Sequence, residues 1–222
     1  NIETEMHKLN KNNFKIFVFG KKKSINSPNI EFIDLDNVDF KNLKTIKYNF
    51  VKSNTPSFCL FTSGSTGIPK GVVHSTGGYM LYTKLTSKNQ FGMGKKTTVL
   101  TASDAGWING HTYALYGPLS LGSTVVMIEK PFSLINKKEF EKIIKDLEIN
   151  IIYLPVTLIK LLRSLKIKFL NKKFFKIKSI GSMGEPLSPD VCKWYTNLFF
   201  KKEKSVVNTY FQTETGGIIC SP

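Results

Sequence analysis

The chain has 222 residues, of which 41% are hydrophobic, a proportion that excludes an intrinsically disordered protein. Its formal net charge is +16, but Arg163 is the only arginine and the lysines are spread along the chain, which favours a solvated surface over a nucleic-acid partner. No apolar run approaches the roughly 20 residues of a membrane helix, so we expect no membrane partner.

The cysteines and the N-terminus bear on the cellular setting. Cys59, Cys192 and Cys220 show no metal-ligand spacing and are odd in number, which is typical of a reducing compartment, so we expect a cytoplasmic protein. Cys59 lies in an apolar run and is predicted to be a small core residue. The chain begins with neither Met nor a secretion signal, which predicts an internal piece of a longer protein or a processed one.

Short apolar runs predict the first elements of the chain. Residues 14–19 are predicted to form a strand. Residues 21–56 are predicted to be loop, with one short helix near 40–46. Strands at 58–61 and 72–74 are predicted to flank a turn rich in glycine and hydroxyl side chains.

Beyond residue 75, strand and helix patterns alternate at least four times. Phe140, Ile143, Ile144 and Leu147 have the spacing of an amphipathic helix. This alternation predicts an α/β fold of layered, largely parallel sheets with helices on their faces. Helices are predicted at about 79–90, 110–119, 137–147, 155–165 and 188–200, and strands at 99–101, 124–128, 149–154, 176–182 and 206–211.

The segment 62–67 has almost no side-chain bulk, and Lys70 follows it. Glycine permits tight turns and close approach, and backbone N–H groups with hydroxyls can surround an anion, while lysine supplies a point charge suited to phosphate. The spacing is not that of a Walker A motif. A flexible linker is the alternative, which the flanking apolar strands disfavour. The candidate phosphate-binding residues are Thr62, Ser63, Gly64, Ser65, Thr66, Gly67 and Lys70.

The motif at 62–71, Thr-Ser-Gly-Ser-Thr-Gly-x-Pro-Lys-Gly, resembles the phosphate loop of the AMP-forming adenylate synthetases, the superfamily of acyl-CoA synthetases and luciferases. Ile68 stands where lysine is common. Three further motifs follow in the family's order, so the resemblance spans about 57–222. It implies that residues 1–56 end a preceding subdomain and that residues 57–222 are the core of an incomplete AMP-binding domain.

The second motif is Gln-Thr-Glu-Thr-Gly-Gly at 212–217, a form that resembles the acetyl-CoA synthetase branch. A carboxylate such as Glu214 can hold Mg²⁺ through oxygen, and Thr213 can donate to an α-phosphate oxygen. The alternative is an ordinary loop with one exposed carboxylate. The resemblance implies catalytic roles for Lys70, Thr213 and Glu214, with Glu214 as the metal ligand.

The third motif, Ser-Met-Gly-Glu-Pro at 182–186, resembles the segment that lines the adenosine site in this family. Glu185 could equally be a plain surface carboxylate. Because ligands of parallel α/β sheets lie beyond the carboxyl ends of the strands, we expect this segment, Thr62 and the second motif to share one edge. The implied nucleotide-binding residues are Gly184, Glu185, Pro186, Asn208, Thr209, Tyr210, Phe211, Gln212 and Thr213.

The fourth motif, Asp-x-Gly-Trp-x-x-Gly-His at 104–111, resembles the segment that walls the acyl pocket in the acetyl-CoA synthetase branch. Large side chains there would close the space that longer acids need, which favours acetate or propionate. Departures from the usual residues leave the choice between the two acids open. His74 and His111 are predicted to be structural. The implied substrate residues are Trp107, Ile108, Asn109, Met183 and Phe211.

Together the resemblances imply an ATP-dependent ligase that forms acetyl-AMP, uses Mg²⁺, and transfers the acetyl group to CoA. The family's C-terminal domain and its catalytic lysine would lie beyond residue 222, so the 222 residues alone are predicted to be nearly inactive. Three alternatives remain, namely a ligase for another short-chain acid, a nucleotide-binding pseudoenzyme, and a basic binding module.

Overall fold

The computed structural model describes residues 14–18, 30–39, 47–63, 67–128, 131–169, 175–201 and 204–222. The chain divides into two compact units, Asn1–Phe50 and Val51–Pro222. The short helix predicted near 40–46 lies outside the described residues. The functional division at residue 56 remains a prediction.

In the first unit, strands β1 (Phe14–Val18) and β2 (Ile30–Asp34) pair in parallel, with Phe14 opposite Ile30. β1 is the strand predicted at 14–19. The prediction of loop throughout 21–56 was wrong at β2, whose sequence Ile-Glu-Phe-Ile-Asp has three apolar residues with β-branched or aromatic side chains among two acidic ones. The Asp34 carboxylate ends β2 by accepting a hydrogen bond from the backbone N–H of Asp36 at 3.0 Å.

In the second unit, strands β3 (Pro56–Thr62) and β4 (Lys70–Ser75) form an antiparallel hairpin, with Thr62 opposite Lys70. The expectation that Thr62 ends a strand of the parallel sheet was wrong, because a seven-residue connection is too short for a parallel crossover. Cys59 was also wrongly predicted to be a core residue. It lies on the exposed face of the hairpin, since alternate strand residues face opposite sides.

The remaining strands of the described part form a parallel sheet in the order β6-β5-β7-β8-β9. The central strand, β7, is buried on both faces, which explains its continuous apolar sequence. The strands are β5 (Thr98–Thr101), β6 (Thr124–Val126), β7 (Ile151–Pro155), β8 (Ser179–Met183) and β9 (Val207–Asn208).

β9 is shorter than the strand predicted at 206–211. After Asn208 the chain turns away, and Tyr210 pairs with Cys220 through Tyr210 N–H to Cys220 O at 3.0 Å and Ile219 N–H to Tyr210 O at 2.8 Å. These bonds close residues 211–219 into a loop, here called the Thr-Glu loop. A strand pattern in the sequence could not show this bridge, because it depends on residues ten positions further along.

Helices cover both faces of the parallel sheet. Their bounds are α1 (Thr76–Phe91), α2 (Ile108–His111), α3 (Gly117–Ser120), α4 (Lys137–Asp146), α5 (Val156–Ser164) and α6 (Pro189–Phe199), with single 3₁₀ turns at Leu35–Asn37, Pro131–Ile135 and Thr213–Thr215. Local sequence signals explain several ends. The Asn136 side chain accepts from the N–H groups of Lys138 and Glu139 to cap α4, and Gly92 at φ 68° ends α1.

One π-helical turn, Thr112–Tyr116, joins α2 to α3. The N–H of Gly117 bonds the carbonyl of Thr112, five residues earlier. Pro118 follows at once, and because proline has no N–H to donate and its ring crowds the carbonyl four residues earlier, the regular α-helical hydrogen bonding is interrupted before it. The single helix predicted at about 110–119 is therefore interrupted by this π-helical turn.

Two apolar clusters lie on opposite faces of the parallel sheet. Alternate residues of β5 and β7 supply them, with Leu100 and Ile152 on one side and Val99 and Ile151 on the other. Side chains of α4, α5 and α6 complete the first cluster, and Phe91 and Tyr113 join the second. Within the described residues, no helix is long and apolar enough to cross a membrane.

Candidate functional site

A cavity of about 570 Å³ lies beyond the carboxyl ends of β8 and β9. Seven of the nucleotide-binding residues inferred from the sequence line it, together with the end of the chain. The lining is Gly184, Glu185, Pro186, Asn208, Thr209, Tyr210, Phe211, Cys220, Ser221 and Pro222. The structure thus brings together two segments that are more than twenty residues apart in sequence.

A second cavity, of about 610 Å³, opens at the opposite edge of the sheet. Four lysines, Lys95, Lys96, Lys176 and Lys178, line it with residues that precede the strands, and none of the predicted site residues is among them. Because ligands of parallel α/β sheets bind beyond the carboxyl ends of the strands, the cavity at β8 and β9 is the better candidate despite its smaller volume.

The turn after β8 is shaped by Gly184, which has φ 88° and open space around its α-carbon. The next residue, Glu185, forms an exposed ion pair with Lys160 at 2.6 Å. Tyr210, on the other side of the cavity, is 55% exposed, so its ring is available to a ligand.

Asn208 and Thr209 are held by hydrogen bonds to β7 and β8. Ser182 Oγ donates to Asn208 Oδ1 at 3.0 Å, and Thr209 Oγ1 donates to Ser182 O at 2.9 Å. Because the Thr209 proton is used in that bond, the Tyr153 hydroxyl donates to Thr209 Oγ1. Burial raises the pKa of Tyr153 well above its ordinary value, which keeps this donor protonated.

The Thr-Glu loop contains the 3₁₀ turn Thr213–Thr215. At its start the Gln212 N–H donates to Thr215 Oγ1 at 3.1 Å, and at its end Gly216 has φ 71°. The Glu214 side chain is exposed at the middle of this turn. The short turn therefore presents the Glu214 carboxylate to solvent, and Gln212 and Gly216 fix its backbone at the two ends.

Four side chains from outside the loop bind its main chain. His74 Nε2 donates to Thr213 O at 2.8 Å, Thr112 Oγ1 donates to Gly216 O at 2.6 Å, and Tyr82 OH donates to Ile218 O at 2.6 Å. The Ile218 N–H donates to Tyr113 OH at 2.8 Å. Here these four residues are called the loop clamp. They belong to β4, α1 and the π-helical turn.

The hydroxyl groups of the loop clamp have defined donor roles. Since Thr112 donates its only proton to Gly216 O, the Tyr79 hydroxyl donates to Thr112 Oγ1 at 2.8 Å. Burial raises the pKa of Tyr79, and it raises the pKa of Tyr113 to about 12, although hydrogen bonds with Thr86 and Ile218 act against the shift at Tyr113. Both phenols are therefore neutral around neutral pH.

Rings packed around Phe58 join the hairpin to the helices. The Phe58 ring stacks on His111, with centroids 4.8 Å apart and planes at 12°, and it contacts Tyr79 at 4.9 Å and His74 at 5.2 Å. His111 Nε2 donates to Ala105 O at 2.8 Å. The rings of His74 and His111 are therefore both packed against Phe58. The structural role predicted for the two histidines remains a prediction.

The phosphate loop inferred from the sequence is described only in part. Gly64, Ser65 and Thr66 lie outside the described residues, and Gly67 follows them at φ 76°. Lys70 is exposed and has no ion pair with any residue in the described ranges. Lys70 and His74 lie on the same face of β4, four positions apart, which corresponds to a separation on the order of 13 Å along the strand.

The residues inferred for the acyl pocket have different surroundings. Met183 and Phe211 both pack in the cluster that contains Tyr113, whose ring meets that of Phe211 at 5.8 Å and 77°. Trp107, in contrast, is 69% exposed. Asn109 is only 4% exposed, and neither atom of its amide has a hydrogen-bond partner among the residues that the structure describes.

Comparison with known proteins identifies the family. Residues 10–222 match the family of AMP-binding enzymes, which is nearly the whole chain. The chain belongs to the AMP-binding enzyme family. The α/β fold class and the family inferred from the sequence are thereby confirmed.

The individual relatives that this AMP-binding enzyme chain matches are named as acetyl-coenzyme A synthetases. It is 42% identical over 173 residues to acetyl-coenzyme A synthetase 2 of Debaryomyces hansenii and 40% identical over 173 residues to acetyl-coenzyme A synthetase 2 of Candida albicans. It is 39% identical over 168 residues to acetyl-coenzyme A synthetase of Shewanella halifaxensis. These matches cover 75–78% of the chain but only 26% of each relative.

No sequence signal would have found the loop clamp as a set. The resemblance pointed to residues within the family's motifs, whereas Tyr82, Thr112 and Tyr113 bind the main chain of the loop and have no recognisable spacing. Their partners are 104 to 136 positions away. Only the tertiary structure shows which main-chain atoms they reach.

Proposed function

We propose that the protein to which this chain belongs activates acetate with ATP to acetyl-AMP and transfers the acetyl group to CoA. The names of the fungal and bacterial relatives support this activity. The observation that carries the proposal is that two segments, one after β8 and one after β9, meet around a single cavity beside the Thr-Glu loop, and we propose that both segments bind the nucleotide.

We propose that the adenosine moiety binds between two segments. Gly184, Glu185 and Pro186 line one side of its site, and residues 208–212 line the other. The exposed Tyr210 ring can stack on the base, an interaction worth about 1–3 kcal/mol. Asn208 Oδ1 is engaged by Ser182, while its Nδ2 has no partner in the described part of the chain and can donate to the base.

We propose that Lys70, Thr213 and the loop at 62–67 bind the phosphates of ATP. These groups would orient the α-phosphate for in-line attack by the carboxylate and stabilise the charge on pyrophosphate as it leaves.

The residues present fit Mg²⁺, which takes one or two carboxylates together with substrate phosphates rather than a protein cage. Glu214 offers such a carboxylate, and the described residues contain no group of three His, Cys, Asp or Glu that could hold a metal without a substrate. When bound, the ion would neutralise phosphate charge.

For the acyl group, we propose a pocket formed by Trp107, Ile108, Asn109, Met183 and Phe211. Met183 is 5% exposed and packs in one cluster with Phe211, which leaves little room for a long chain. A methylene added to the acid improves the free energy of binding by about 0.8 kcal/mol where the pocket has space for it. Where the pocket has no space, the added methylene weakens binding by about 1–3 kcal/mol. This balance favours acetate over butyrate, and propionate is the closest competitor.

We further propose that 57–222 form the core of the AMP-binding domain and that these residues alone are nearly inactive. The relatives are about four times as long as the matched segment, which supports a requirement for further parts of the protein. Substantial acetate-dependent ATP–pyrophosphate exchange by the purified 222-residue chain would contradict this proposal.

The test is ATP–pyrophosphate exchange by the full-length protein with acetate, propionate and butyrate. We expect exchange with acetate, and a drop of about 100-fold in Glu214→Gln, whose amide no longer holds the metal. The control is Glu139→Gln, an exposed carboxylate on α4, which should leave the rate unchanged.

Other outcomes would point to the alternatives. ATP binding without exchange would indicate a pseudoenzyme, and a higher rate with propionate would change the substrate. Salt-sensitive nucleic-acid binding that survives Lys70→Ala, with no ATP binding, would indicate a basic binding module.

A further inference from the structure

We propose that His74 is a positioning residue that sets the place of Glu214 through the main chain of Thr213. This inference rests on the proposed function, because it assigns His74 a part in placing the metal-binding carboxylate. It begins from one bond, His74 Nε2 to Thr213 O at 2.8 Å, which joins residues 139 positions apart.

The bond has a defined direction. A carbonyl oxygen only accepts, so Nε2 carries the proton. The His74 side chain is 8% exposed, so water competes little for this donor. The peptide whose oxygen it holds, Thr213–Glu214, carries the Glu214 α-carbon at its far end.

The imidazole ring itself is held in place. Phe58 and Tyr79 lie with ring centroids 5.2 Å from it. On the loop side it packs against Gly216, where an added Cβ would stand 3.0 Å from Cε1 and 3.1 Å from Nδ1 of His74. A ring enclosed on these sides cannot rotate freely, so a shift of β4 is passed to the loop.

His74 also differs from the other members of the loop clamp in what it reaches. Thr112 holds Gly216, and Tyr82 and Tyr113 hold Ile218, all beyond the 3₁₀ turn. Among the four side chains of the loop clamp, only His74 binds a main-chain atom of the turn next to Glu214, and the N–H of Gly216 also donates to that atom, Thr213 O, at 3.2 Å. It is also the member on β4, the strand that begins with Lys70.

The consequence is a fixed spacing between two elements of the phosphate site. β4 carries Lys70 at one end and reaches the Thr-Glu loop at the other, so the strand sets how far the phosphate loop lies from Glu214. Loss of the His74 bond should release the turn while leaving the loop's attachment at Gly216 and Ile218 intact.

The test compares His74→Gln with His74→Asn in the full-length protein. Glutamine places an amide N–H close to the position of Nε2, whereas asparagine is too short to reach Thr213 O. We expect His74→Asn to lower kcat for acetate-dependent ATP–pyrophosphate exchange roughly 10- to 100-fold, the usual loss for a group that orients a metal ligand. The KM for acetate should change less than about twofold, and His74→Gln should recover most of kcat.

Tyr82→Phe is the matched control, since it removes one hydrogen bond from the same loop at Ile218. It should keep kcat within about twofold of the parent protein. Equal losses of kcat in His74→Gln and His74→Asn, or a loss in Tyr82→Phe as large as that in His74→Asn, would overturn the proposal.

Amide hydrogen exchange provides a readout that needs no activity. The N–H of Thr215 donates to Gln212 O, and the N–H of Gly216 is shared between Gln212 O and Thr213 O within the turn. Their exchange should be faster in His74→Asn and unchanged in His74→Gln, with the amide of Ile152 in β7 as the internal reference. Unchanged exchange in His74→Asn would overturn the proposal. If the parent protein lacks ligase activity, the proposed function fails, and the exchange comparison still decides the role of His74.

Discussion

The Thr-Glu loop and the β3–β4 hairpin both carry site residues inferred from the sequence, but the structure supports them differently. Four side chains from three elements bind the main chain of the loop. The hairpin has no strand beside it in the described residues, and it packs through Phe58 on one face while Phe61 and Val73 on the other are 74% and 58% exposed. A two-stranded hairpin is marginally stable without such packing.

Because of this difference, we expect substitutions in the loop and in the hairpin to affect stability and activity differently. In the loop, a substitution that disturbs the turn at 213–215 should lower both stability and activity, because the His74 bond that is proposed to position Glu214 also ties the loop to β4. In the hairpin, the exposed residues that would bind phosphate contribute little to folding. The predictions below are ordered by their expected effect on the free energy of unfolding.

The largest effect is expected for Gly216→Ala. The residue has φ 71°, and its added Cβ would stand 3.0–3.1 Å from the rings of His74 and Tyr79. Left-handed backbone strain and overpacking together should cost about 3 kcal/mol in urea denaturation. The control in the hairpin is Gly67→Ala, which has φ 76° but open space and should cost about 1 kcal/mol. Equal costs at the two glycines would contradict the comparison.

Phe58→Ala is expected to cost about 2 kcal/mol, because the half-buried ring holds the hairpin against His111 and Tyr79. Phe61→Ala on the opposite face should change the free energy of unfolding by less than about 0.5 kcal/mol. Urea denaturation of the two variants measures the difference. If Phe61→Ala were the more damaging, the hairpin would be anchored by the other face.

Tyr113→Phe should cost about 1–2 kcal/mol, since it leaves the buried N–H of Ile218 without its acceptor. The pH dependence tests the same group. The unfolded phenol ionises near its ordinary pKa of 10.0 while the folded one has a pKa of about 12, so this contribution is complete below pH 10 and is lost as the pH rises towards 12. The stability difference between parent and variant should therefore shrink over that range. A difference that stays constant from pH 9 to pH 12 would show that burial does not shift this group.

Lys70→Ala should have the smallest effect on stability, below about 0.5 kcal/mol, because the side chain is exposed. Its effect on function should be large, with ATP–pyrophosphate exchange by the full-length protein falling about 100-fold if the ammonium binds phosphate. Lys52→Ala, an exposed lysine before β3, serves as the control for a general loss of charge. A similar fall in the exchange rate of both variants would contradict a specific role of Lys70 in phosphate binding.

Much of the layout could be predicted because it depends on short patterns. The helix at Lys137–Asp146 follows from apolar spacing and an asparagine cap, and the interruption of the helix predicted at 110–119 follows from Gly117–Pro118. The candidate nucleotide-binding segments were predicted from their resemblance to a known family, and those after β8 and β9 line one cavity. β2 was missed because its three apolar residues lie within a polar region that reads as loop.

What the sequence alone determined is the family, the alternation of strands and helices, and the residues whose chemistry suits a nucleotide, since each depends on neighbours within a few positions. Only the tertiary structure decided that β3 pairs with β4 outside the parallel sheet, that Tyr210 bridges to Cys220, and that His74 reaches Thr213. The physical reason is that hydrogen bonds and ring packing between distant segments depend on how whole elements are placed, and no local pattern records that placement.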